Sequence, residues 1–144
     1  MTEPVRILLA QPDARGRLRV MSALRSRYVL LPLGPGEDPV RAMRVHRPSL
    51  VLLEVPRARS GNTLRACRAM KTDAGSPPRV ALLDPRGRLR HPQAAVESSL
   101  ADGYLGVEGD DAALRAFVEA VLRGERPVTA GPPRKDWWAG LLGG

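Results

Sequence analysis

The residues with most to offer chemically are arginines and scattered acids. Arg57 and Arg59 follow the apolar run Leu50-Val51-Leu52-Leu53. Arg86, Arg88 and Arg90 follow a second run, Val80-Ala81-Leu82-Leu83. Guanidinium forks bind phosphate and carboxylate groups, so these arginines point to an anion site. No glycine-rich phosphate cradle accompanies them, and the plain alternative is solvated charge in an arginine-rich chain. Glu54 and Asp84 each end an apolar run. Brought close, the two would repel and raise a pKa, unless Arg57, Arg59, Arg86 or Arg88 neutralised them.

Cys67 falls on the apolar stripe of a predicted helix and reads as packing, not as a nucleophile. As the sole cysteine it excludes a disulfide within the chain and any zinc site built from cysteine pairs. His46 and His91 lack metal-ligand spacing and read as helix-end residues. No metal and no cofactor is expected. Trp137 and Trp138, with Leu141 and Leu142, follow a Pro/Gly-rich stretch and suit a docking peptide that anchors in a partner's groove. The alternative is a tail folded back on its own domain.

The chain that must position these groups has 144 residues, the size of one domain. At 43% hydrophobic and 26% charged it is globular rather than disordered. Aromatics are 3%, so the core is aliphatic and a base-stacking surface would be thin. Lys+Arg is 23 against 15 Asp+Glu, a net +8, and only Lys71 and Lys135 are lysines. That balance fits an acidic partner, or the arginine bias of a GC-rich genome. The apolar stretch near the N-terminus, Ile7 to Ala10, is too short for a signal peptide or a membrane span. A cytoplasmic location, away from membranes, is expected.

Short apolar runs alternate with amphipathic stretches. The runs are Ile7-Leu8-Leu9-Ala10, Tyr28-Val29-Leu30-Leu31, the two already named, and a weaker Gly103-Tyr104-Leu105-Gly106. Continuous rather than alternating runs suit strands covered on both faces. Helices are predicted over 14–26 (stripe Leu18, Met21, Leu24), from Asp38-Pro39 onward (Val40, Ala42, Met43) and over 62–71 (Leu64, Cys67, Met70). Two more follow over 93–101 (Val96, Leu100) and from Asp110 to Gly124 (Leu114, Phe117, Val118, Val121, Leu122). Asp13, Asp38 and Asp110 are predicted N-caps. The alternation predicts an α/β fold with a five-stranded parallel sheet, doubly wound. Function in such folds sits in the loops at the carboxyl ends of the strands, here 11–13, 55–61, 84–91 and 107–109. Residues 1–124 form the expected domain. Residues 125–144 read as a Pro/Gly linker that breaks helix and strand alike, then a flexible apolar tail.

In this order the elements resemble the receiver domain of bacterial response regulators, over about residues 5–124. His46-Arg47-Pro48-Ser49-Leu50-Val51-Leu52-Leu53 is similar to the family's Pro-Asp-Leu-Val-Leu-Leu-Asp. Ala101-Asp102-Gly103-Tyr104-Leu105 is similar to its Gly-Ala-Asp-Asp-Tyr-Leu. The resemblance implies a flavodoxin-like fold and a site that accepts a phosphoryl group with Mg²⁺. It puts Glu54 at the phospho-acceptor position, and Gln11 and Pro12, with Asp13 just beyond, at the acidic pair. Asp84 falls at the Ser/Thr position, Val107 at the Lys position and Tyr104 at the switch aromatic.

Each departure removes a physical requirement. Mg²⁺ takes hard oxygen ligands, usually including carboxylates; the Gln11 side chain offers one neutral oxygen and that of Pro12 none. Without metal or lysine, charge developing on a transferring phosphoryl group has no stabiliser. Asp84 adds negative charge where a hydroxyl belongs. The reading is a degenerate receiver, not an enzyme and not phosphorylated. It would act as a stand-alone signalling adaptor that binds a protein partner. The second reading is a module that binds an anion, a nucleotide or nucleic acid through the arginine loops.

Overall fold

A computed structural model describes residues 3–34, 36–56, 60–73, 75–106 and 110–130. Strands β1 (Arg6–Ala10), β2 (Val29–Pro32), β3 (Leu50–Glu54), β4 (Arg79–Leu83) and β5 (Gly103–Gly106) stand where the apolar runs predict them. Between and after them lie α1 (Ala14–Leu24), α2 (Pro39–His46), α3 (Ser60–Thr72), α4 (Pro92–Ser99) and α5 (Asp111–Leu122). All strand pairs are parallel, in the order β2-β1-β3-β4-β5, with a sixth strand, β6 (Val128–Ala130), beyond β5.

Side chains alternate across the sheet and divide the core in two. Leu8, Val51, Leu53, Val80, Leu82 and Tyr104 pack with Met43 of α2, Cys67 and Met70 of α3, and Val96 of α4. Ile7, Leu9, Leu50, Leu52, Ala81 and Leu83 pack on the other face against α1 and α5. The fold is therefore the predicted doubly wound α/β sandwich. The caps are local chemistry. Asp13 accepts from the Arg15 N–H, Asp38 from the Val40 N–H and Asp110 from the Ala113 N–H, each quenching a donor at a helix start. Gly124, at φ 94, follows α5 in the left-handed conformation suited to a helix end.

Three expectations are corrected. The buried stripe of α1 is Val20, Ala23 and Leu24, and Leu18 is 64% exposed. A strict three-residue spacing lags a 3.6-residue turn and drifts off the buried face. Helix α4 stops at Ser99; Leu100 takes φ 63 and is 41% exposed rather than lying on the apolar stripe. The segment predicted to break every element contains β6, so the sheet has six strands, not five. Pro127 lies before the strand, where its missing N–H costs no ladder bond, and its carbonyl accepts from the Tyr104 N–H at 2.8 Å. Val128 and Thr129 are β-branched and suit an edge strand.

Candidate functional site

The sheet order reverses beside β1, where α1 and α5 cover one face while α2, α3 and α4 cover the other. Crevices for ligands open at the carboxyl ends of strands at such a point. Here the space is a cleft of about 650 Å³. Its walls are the start of α1, the end of β3, the loop after β4 and the start of α5.

Gln11, Asp13 and Glu54 meet at the base of α1. Glu54, 8% exposed, accepts from the Asp13 N–H in a long contact of 3.5 Å. Burial pushes its carboxyl above the ordinary range, and the Asp13 carboxylate adds to the rise. The Asp13 N–H, the Gln11 amide and Arg86 pull the other way. The acid that faces Glu54 is thus Asp13, and the expected repulsion from Asp84 is corrected. Gln11 is buried, and among the described residues its Oε1 has no hydrogen-bond partner. Gly16 lines this corner closely: a Cβ there would lie 3.0 Å from Glu54 Oε1.

These residues do not fit Mg²⁺. Pro12 has no side-chain ligand atom, and the Asp13 carboxylate is turned onto its own helix as the cap. Among the described residues no three His, Cys, Asp or Glu side chains come together as a ligand set. No step is routed through a metal.

Asp84 has another role. It is fully buried and accepts from the Arg88 N–H at 2.8 Å and the Leu89 N–H at 2.9 Å. The Tyr104 hydroxyl donates at 2.5 Å to Oδ2, the same oxygen that accepts from Leu89. The loop 84–89 wraps around this carboxylate, with Gly87 at φ 60 closing the turn onto the Asp84 carbonyl. Tyr104 is 1% exposed, so it is core and not part of an open binding face. Burial pushes its phenol well above the ordinary range, and the hydrogen bond and charge of Asp84 push the same way. Gly106 makes room for the ring: a Cβ there would lie 2.5 Å from Tyr104 Cε1.

Arg86 and Arg88 line the cleft; Arg90 is exposed on the same loop but does not. Arg57, Arg59 and Val107 lie outside the described residues, as do Trp137, Trp138, Leu141 and Leu142. Sequence reasoning missed Arg15 and Arg19, which line the opposite wall from the first turns of α1. Their i, i+4 spacing at the start of the helix after β1 was the available signal. Cys67 is buried, and desolvation pushes its thiol up to about 12, in keeping with packing. His46 ends α2, and His91 stands before α4 without a side-chain cap bond.

No protein-family model matches the sequence. No curated protein matches it either. Solved structures share the fold. The N-terminal domain of the nisin resistance regulator NsrR, a lantibiotic response regulator, aligns at TM-score 0.72 and 14% identity, over 84% of this chain and 100% of that one. A putative response regulator from Chloroflexus aurantiacus aligns at 0.69 and 18% identity, over 84% and 99%. The response regulator DrrB of Thermotoga maritima aligns at 0.64 and 18% identity; this chain covers 54% of it, by 84% of its own length. The chain has the receiver fold. Among the described residues no helix is long and apolar enough to cross a membrane.

Proposed function

We propose that this chain is a cytoplasmic signalling adaptor of the receiver type, which acts by binding a protein partner and not by accepting a phosphoryl group. One observation carries the reading: the carboxylate of Asp84 stands bonded to the Arg88 and Leu89 N–H groups and to the Tyr104 hydroxyl. Where a receiver would offer a hydroxyl to a phosphoryl oxygen, this chain offers a buried negative charge. A dianion there meets repulsion in a medium of low polarity. The aromatic that would move in a switch is held by the same carboxylate. Glu54, one methylene longer than aspartate, lies against Asp13, with no metal-ligand set beside it among the described residues. The partner surface we propose is the α4–β5–α5 side, where β6 is the outer strand of the sheet, with the tail bearing Trp137 and Trp138 as a second anchor.

The test is incubation of the full chain with Mg²⁺ and acetyl phosphate, read by intact-mass spectrometry. No adduct is expected. An acid-labile phosphoryl group mapped to Glu54 or Asp13 overturns the reading. Partner capture from nuclease-treated lysate then compares the full chain with one ending at Ala130, which keeps β6 in the sheet. A discrete protein held by the full chain alone assigns docking to the tail. One held by both assigns it to the folded domain, and retention of nucleic acid alone refutes the adaptor reading.

A further inference from the structure

We infer that the cleft at the carboxyl edge of the sheet binds a mononucleotide, with its phosphate between Arg15 of α1 and Arg88 of the loop after β4. The two arginines come from different walls of one crevice, so a phosphate between them can meet two guanidinium forks. Arg19 and Arg86 belong to the same two walls and add positive potential. The volume, about 650 Å³, lies within the range of small-molecule sites.

The acids in the cleft do not cancel this. The carboxylates of Asp13 and Asp110 are engaged as helix caps. That of Glu54 is offset by Arg86, whose charge acts on it. Among the described residues of the lining, Asp111, in the first turn of α5, is the remaining acid.

The rest of the lining selects among phosphates. Half-buried Leu114 and the edges of Val20, Leu83 and Leu105 form a small apolar floor, which suits the edge of a heterocycle better than a bare phosphate. Beside that floor the buried Oε1 of Gln11 has no donor among the described residues. A buried acceptor without a partner is costly and uncommon. Turned toward the cleft, the Gln11 amide would pair, with Glu54 as a second acceptor, to the N–H edge of a base. Phosphate at one end, an apolar plane between and N–H donors at the other describe a nucleotide. A long nucleic acid would spread over surface arginines and leave these acceptors unmet. The proposal stands apart from the adaptor reading, since a protein partner can dock elsewhere whether or not the cleft is filled.

The test is calorimetric titration of the full chain with GMP, AMP, inorganic phosphate and a single-stranded oligonucleotide, at low and moderate salt. One nucleotide should bind with unit stoichiometry and more tightly than phosphate, the more weakly as salt rises. Arg15→Gln with Arg88→Gln should weaken it on the order of tenfold or more, with an unchanged far-ultraviolet dichroism spectrum. Gly16→Leu, which grows into the corner held by Glu54, should do the same by occlusion. Nucleotide binding no tighter than phosphate overturns the proposal. So does full affinity in both folded variants, or preference for the oligonucleotide at equal phosphate concentration. Should a variant fail to fold, the comparison of ligands on the unaltered chain decides alone.

Discussion

Replacing Tyr104 by phenylalanine removes one oxygen from a fully buried polar contact. The ring is 1% exposed, and its hydroxyl donates to Asp84 at 2.5 Å. A hydrogen bond to a charged group contributes about 1.5–3 kcal/mol net. Tyr104→Phe belongs at the lower end, about 1.5–2 kcal/mol, because Asp84 keeps two N–H donors. Asp84→Ala is worse, at about 3–4 kcal/mol, since it strands the buried phenol and two loop N–H groups together. The double variant should cost little more than Asp84→Ala, leaving a coupling of about 1.5–2 kcal/mol. Urea unfolding followed by far-ultraviolet dichroism measures all four corners of the cycle. The sign with pH is set as well. A phenol whose pKa is raised on folding contributes stability that is lost as pH climbs through the folded value. Above about pH 10 the unaltered chain should therefore lose stability faster than Tyr104→Phe. A coupling below about 0.5 kcal/mol would refute the reasoning, because the Tyr104 and Asp84 contributions would then be independent.

Gly106→Ala places a Cβ 2.5 Å from Tyr104 Cε1 and 2.7 Å from its hydroxyl, so the ring must leave its site. The expected loss is about 2–3 kcal/mol by urea unfolding, with Tyr104 newly open to solvent-accessible quenchers. Glu54→Gln should stabilise the chain at pH 7 by about 1 kcal/mol, since its amide can donate to Gln11 Oε1 and carries no buried charge. Glu54 has a raised pKa, so its favourable contribution holds below the unfolded value and fades as pH rises through the folded one. The gain should vanish near pH 4, and equal stabilities at both pH values would sink this account. Lys71 bonds Asp102 at 2.7 Å and the Pro78 carbonyl at 3.0 Å, with side chains 15% and 6% exposed. Lys71→Met leaves Asp102 with the Val80 N–H and should cost about 3–5 kcal/mol in thermal or urea unfolding; Asp102→Asn added to it should recover part of the loss.

Much of this fold is written in short-range pattern. Runs such as Leu50-Val51-Leu52-Leu53 bury both faces of a strand, and a parallel sheet with covering helices follows from their alternation. Asp13, Asp38 and Asp110 cap helices because the donors they meet lie two or three residues away. Helix faces were less legible. Leu18 satisfied a spacing rule but not the actual rotation of α1, which the sheet sets by packing on Val20, Ala23 and Leu24.

The site needed the assembled molecule. By its residue type Asp84 promised only a charge near a strand end. Its role comes from Tyr104, twenty residues on, entering the core beside Gly106. Glu54 meets Asp13 and Gln11 rather than Asp84, because those residues follow β1, the neighbour of β3, and side-chain direction rather than sequence decides the contact. Arg15 and Arg19 face the loop of Arg86 and Arg88 only once α1 has docked. Strand β6 has three residues and takes its stability from the ladder it joins. Periodicity, caps and composition act within a few residues of the chain, and the sequence alone determines them. Contacts across twenty or forty residues depend on register, rotamer and packing together, and only the tertiary structure decides those.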